Sequence, residues 1–158
     1  MTRVPLAAVA LALAAGLATG CAAQRTVTAA GATEGRGWIV TDDAAAAAVL
    51  RTCSRPSPDR EAALPRWQPT QADIGALERA LPTVVPGGDP ATWQRQYVGL
   101  VRDGVRLVYV NAWPRNLARP DDPSREAVRA CDGGAQFWGA VWDPRAAAFS
   151  EFAANGGF

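Results

Sequence analysis

Asp103-Gly104 stands between two runs of β-favouring residues, 96–102 (QYVGLVR) and 105–113 (VRLVYVNAW), and nothing else in the chain limits its fold so tightly. An Asp-Gly pair accepts the positive φ that a two-residue hairpin turn needs, and the twist of that turn matches the flanking strands. The turn also sets the register. Val98 then faces Tyr109 and Leu100 faces Leu107 on one side of the ribbon, while Tyr97 faces Val110 and Gly99 faces Val108 on the other. Both sides are apolar, so the hairpin belongs in the middle of a sheet with helix over at least one face.

Upstream, Thr70 and Asp73 have the spacing of a capping box, and Ile74, Leu77 and Leu81 recur at three and four residues until Pro82 stops the pattern. An amphipathic helix lying on the sheet is expected there. Further upstream, Trp38-Ile39-Val40 is a short β-favouring run, and Thr41, Asp42 and Asp43 offer capping side chains to a helix over about 43–53. Downstream, residues 114–124 (PRNLARPDDPS) make a loop long enough to be either functional or disordered. It holds no ligand-specific pattern, so disorder is the expectation. A third strand over 126–131 leads through Asp132-Gly133-Gly134 into a second hairpin, 137–142 and 147–152, around Asp143-Pro144-Arg145-Ala146. The predicted class is α+β: an antiparallel sheet of about four to five strands packed against one or two helices.

The N-terminus has a different character. A basic start ending at Arg3, an Ala/Leu/Val run over 4–17 and the small residues Ala18-Thr19-Gly20 before Cys21 are the three parts of a secretory signal peptide. The run is shorter than the ~20 apolar residues of a spanning helix. Leu17-Ala18-Thr19-Gly20-Cys21 resembles the lipobox of bacterial lipoproteins, which implies that Cys21 is acylated and becomes the mature N-terminus. Cleavage by ordinary signal peptidase after Gly20 or Ala23, with Cys21 merely nearby, is the alternative. Ala22 after the cysteine resembles the sorting pattern that implies the periplasmic face of the outer membrane in a Gram-negative host. Residues 1–20 are thus a leader, 21–37 a flexible tether of small polar residues, and 38–158 one domain. Export leaves Cys53 and Cys131 to oxidise together, closing a loop worth on the order of 4 kcal/mol; the alternative is two buried free thiols.

Mature side chains balance: all 16 basic residues are arginine, and without Arg3 they equal the 15 acidic ones, so a basic face for nucleic acid has no support. The chain has no histidine and no lysine. That removes Ser-His-Asp and Cys-His pairs, histidine-based zinc motifs, Schiff bases and Ser-Lys dyads. No nucleotide-binding glycine pattern, cofactor motif or metal-ligand set occurs. What is left for catalysis is a carboxylate pair, Asp132 with Asp143 or Glu151, as in an envelope hydrolase. Carboxylates at turns also serve simply as turn formers.

Six tryptophans open a second reading. Trp138 and Trp142 are an even number apart on a strand and share a face, which is either core or a contact patch. The order QYVGLV, DG, LVYVNAW, CDGG, FWG, WD and NG, over about 67–158, resembles uncharacterised periplasmic proteins and lipoproteins of Gram-negative bacteria, a likeness that implies no particular activity. Gln96-Tyr97-Val98-Gly99 is loosely similar to the Q-x-V-x-G loop of cystatin-type inhibitors, but one residue is missing and the segment reads as strand interior, so the inhibitory role is not carried over. The functional expectation is a lipid-anchored, non-catalytic envelope binding module, with Trp138, Trp142 and Asp132 as candidate contacts to an envelope protein or glycan. The hydrolase is the alternative.

Overall fold

The computed structural model describes residues 37–59 and 63–156. Residues 1–36, on which the expected leader, Cys21 and all but the last residue of the expected tether fall, lie outside them, and Gly37 opens β1. The fold is α+β: a six-stranded mixed sheet with two helices. Its strands are β1 (Gly37–Ile39), β2 (Arg66–Trp67), β3 (Trp93–Arg102), β4 (Val105–Pro114), β5 (Trp138–Asp143) and β6 (Ala148–Ala154). The order across the sheet is β1-β3-β4-β5-β6, with β2 also pairing β3.

The central hairpin has the predicted register, Val98 opposite Tyr109 and Tyr97 opposite Val110, and Asp103 and Gly104 both take positive φ. The sheet is not wholly antiparallel, because β1 runs parallel to β3 with Gly37 beside Arg95. Two helices and β2 intervene between these strands, which gives the long crossover that a parallel pair requires.

Helix α2 (Gln71–Ala80) starts with the expected capping box, Thr70 Oγ1 accepting from Asp73 N while Asp73 Oδ2 accepts from Thr70 N. It lays Ile74 and Leu77, with Leu81 just beyond, on one face of the sheet against Tyr97, Val108, Val110, Trp138, Ala140 and Trp142. Glu78 descends beside this stripe to a buried guanidinium. Arg95 donates to Glu78 through Nε (2.9 Å) and Nη2 (3.0 Å), and through Nη1 to the carbonyls of Pro90 and Trp93. The Tyr97 hydroxyl donates to Glu78 as well. Burial pushes Tyr97 well above the usual tyrosine range. Burial also works against the charge on Arg95, but the neighbouring Tyr97 and Glu78 outweigh it and raise its pKa.

Helix α1 (Asp43–Leu50) covers the upper part of the other face, packing Ala45, Ala46, Val49 and Leu50 on Val98, Leu100, Leu107, Tyr109 and Val141. Asp42 caps it by accepting from Ala45 N at 2.8 Å. It ends earlier than expected, since Thr52 Oγ1 donates to the Arg55 carbonyl and turns the chain away. Cys53 therefore lies in the loop after the helix. Its disulfide to Cys131, Cα atoms 5.0 Å apart, joins two loops rather than helix to sheet.

The expected strand over 126–131 does not form, and residues 114–124 are held rather than disordered, for one reason. Four buried carboxamides on this face bond the backbone of residues 114–130. Gln94 donates to the Leu117 carbonyl (3.0 Å), and Gln96 to those of Pro123 (2.7 Å) and Glu126 (2.6 Å). Asn111 donates to Val128 O (2.9 Å) and Asn155 to Ala130 O (2.5 Å). Gln96 Oε1 also accepts from Val128 N and from Asn111, so this amide uses both donors and both lone pairs. With its polar backbone groups met by side chains, the segment has no need of a neighbouring strand.

Candidate functional site

Trp138 and Trp142 are 0% and 2% exposed, in the core beneath α2. Trp138 packs edge-on to Trp93 at 5.6 Å, and Trp142 lies 4.8 Å from Phe149. Of the two faces that strand periodicity left open, α2 covers the one carrying these rings. A contact patch made of them is thereby replaced by core, because the amphipathic stripe of α2 needs an apolar floor.

The carboxylates are separated. Asp132 is exposed next to the disulfide, before a 3-10 turn (Gly134–Gln136) whose Gly134 N donates to the Gly156 carbonyl, two residues beyond the end of β6. Asp143 is at the other end of β5, where its Oδ1 accepts from Arg145 N and Ala146 N and shapes the hairpin turn. Glu151 pairs with Arg102. Among the described residues no three His, Cys, Asp or Glu gather as metal ligands would, and no helix is long and apolar enough to cross a membrane.

A surface feature that sequence reasoning missed lies between the 51–59 loop and strands β4 to β6. A cleft of about 210 Å³ is walled by Pro56 and Pro58 on one side and by Tyr109, Val141, Glu151 and Phe152 on the other. Two arginines hold it open. Arg55 donates through Nε to the Tyr109 hydroxyl (3.0 Å) and through Nη2 to Asn111 Oδ1 (2.6 Å), and it also bonds Asn155. Arg102 donates to the Pro58 carbonyl at 3.0 Å while pairing with Glu151. Glu151 takes φ +52° at a bulge where β6 slips against β5 between Gly139 and Val141. The Tyr109 ring lies over Gly139, where a Cβ would sit 2.1 Å from its hydroxyl, so only glycine fits. Burial raises the Tyr109 pKa, and the Arg55 charge moderates the rise.

Phe152 contributes to the cleft lining and is 44% exposed, and its ring lies 5.6 Å from that of Trp138 at the edge of the sheet. Only one other large apolar side chain among the described residues is exposed, Leu117 at 39%. The alternation of β6 gave no warning of Phe152, because the bulge shifts which residues share a face. An exposed apolar ring, a proline wall and a polar floor whose groups are already bonded suit contact with a partner. Neither a family model, nor a curated protein, nor a solved structure matches this chain.

Proposed function

We propose that this protein is a non-catalytic binding module of the cell envelope, exported by its leader and anchored through lipid on Cys21. In a Gram-negative host its place is the periplasmic face of the outer membrane. The observation that carries the binding role is Phe152, a large apolar side chain left 44% exposed on the edge strand where it packs on Trp138 and adjoins the cleft. The lipobox-like 17–21 segment supports the anchor, and the Cys53–Cys131 disulfide suits an oxidising compartment. The partner class is an envelope protein or glycan that covers the Phe152 ring.

A photo-crosslinking amino acid at position 152, compared with one at the exposed Arg79 on α2, tests this in the intact envelope. A discrete adduct from 152 alone is expected. No adduct, or the same adducts from both positions, overturns the binding role. For the anchor, Cys21→Ala is expected to move the protein out of the detergent phase in a Triton X-114 partition; retention there overturns acylation.

A further inference from the structure

Resting on that lipid-anchored reading, we infer that Trp38, Arg115, Leu117 and Arg119 form the surface with which the domain settles on an anionic lipid headgroup layer. The parallel register of β1 is what brings them to the tether. Because Gly37 lies beside Arg95, the chain runs into β1 from the open end of the β3–β4 ribbon, opposite the Asp103-Gly104 turn. At that end β4 passes into residues 114–119. Arg115 N donates to the Thr92 carbonyl at 2.9 Å, and Gln94 holds the Leu117 carbonyl at 3.0 Å. The Arg119 guanidinium carbon is 5.2 Å from the centre of the Trp38 ring, which stacks on Trp113 at 6.2 Å.

The patch therefore joins the second residue of β1 to an exposed leucine and two arginines. Neither Arg115 nor Arg119 makes an ion pair among the described residues. Of the nearby carboxylates among the described residues, Asp89 accepts from Ala91 N, and Asp122 accepts from Ser124 Oγ and N, bonds that hold its pKa down and keep it ionised beside Asp121. Tryptophan, leucine and arginine together match the chemistry of a membrane interface, where rings and aliphatic side chains sit at headgroup level and guanidinium groups meet phosphate. A lipid tether keeps the domain at high local concentration, so a weak attraction suffices to orient it. Phe152 lies on the edge strand β6, four strand spacings or about 19 Å across the sheet from Trp38 on β1.

The test uses the full acylated chain in vesicles of phosphatidylethanolamine with phosphatidylglycerol, and in vesicles of phosphatidylcholine alone. Flotation reports anchoring, and hydrogen exchange reports contact. On the anionic vesicles, amides of residues 115–119 are expected to exchange at least about threefold more slowly than on the neutral ones, and the Arg115→Ser, Arg119→Ser double variant is expected to lose that difference. A chain that fails to float overturns the anchored reading and this inference with it. A chain that floats but exchanges equally on both vesicles, or whose double variant keeps the slowing, overturns the patch alone.

Discussion

Under α2 the sheet is closed by rings and aliphatic side chains, whereas the lower part of its other face is closed by an irregular segment bonded to carboxamides. The first surface is apolar apart from the buried Arg95–Glu78–Tyr97 cluster. Trp93, Trp138 and Trp142 bury their indole N–H groups there without hydrogen-bond partners, a cost that the burial of three large rings offsets. On the second surface Gln94, Gln96, Asn111 and Asn155 are as deeply buried, and all four are bonded to the segment they hold. The difference teaches that a sheet face can be capped by non-repetitive chain if the strands themselves supply the missing donors and acceptors. The polar face specifies its cover residue by residue.

The contrast is broken most forcefully at Trp138. Trp138→Ala is expected to cost about 4 kcal/mol in denaturant unfolding, as large core truncations do. A loss below about 1.5 kcal/mol would mean that α2 repacks and the apolar face is not rigid.

Next comes the disulfide, which ties the 51–59 loop to the far end of the carboxamide-held segment. The Cys53→Ser, Cys131→Ser variant is expected to lose up to about 4 kcal/mol, and its hydrogen exchange to speed up at 122–131 before α2. Simultaneous loosening of both faces would show that they are one cooperative unit.

Gln96→Glu sharpens the comparison at a single atom. It turns an acceptor toward the carbonyls of Pro123 and Glu126 in place of a donor, at a cost of about 2 to 3 kcal/mol at neutral pH. A buried carboxyl among carbonyls has a raised pKa, so this variant is expected to recover stability as pH falls through that value, where the protonated form donates again. Exchange should rise at 122–128 and stay unchanged in α2.

The smallest effect is confined to alkaline pH. Tyr97 keeps its proton in the fold above its ordinary pKa of 10.0, while the unfolded chain releases it. Stability is therefore full below that pH and declines above it. Tyr97→Phe is expected to flatten the decline in a pH series of melting temperatures, with Tyr109 accounting for the remainder.

Much of the frame was legible in the chain. The Asp103-Gly104 turn, the Thr70 to Asp73 capping box, the stripe of Ile74, Leu77 and Leu81 and the Cys53–Cys131 pairing rest on neighbours in sequence or on simple counting. The candidate site was less so. A signal for the polar face was present, since Gln94, Gln96 and Asn111 occupy positions of one side in otherwise apolar strands. Their spacing says that something polar covers that side, but not which segment.

By itself, then, the sequence determined the local elements and their partners across tight turns, because hydrogen bonds and steric preferences within a few residues decide those. It was the tertiary structure that made β1 parallel, kept 126–131 from pairing as a strand, buried Trp138 and Trp142, and brought Phe152 to the cleft and Arg119 to Trp38. Each of these depends on which distant surface satisfies a buried amide or covers a ring, and no local spacing encodes that choice.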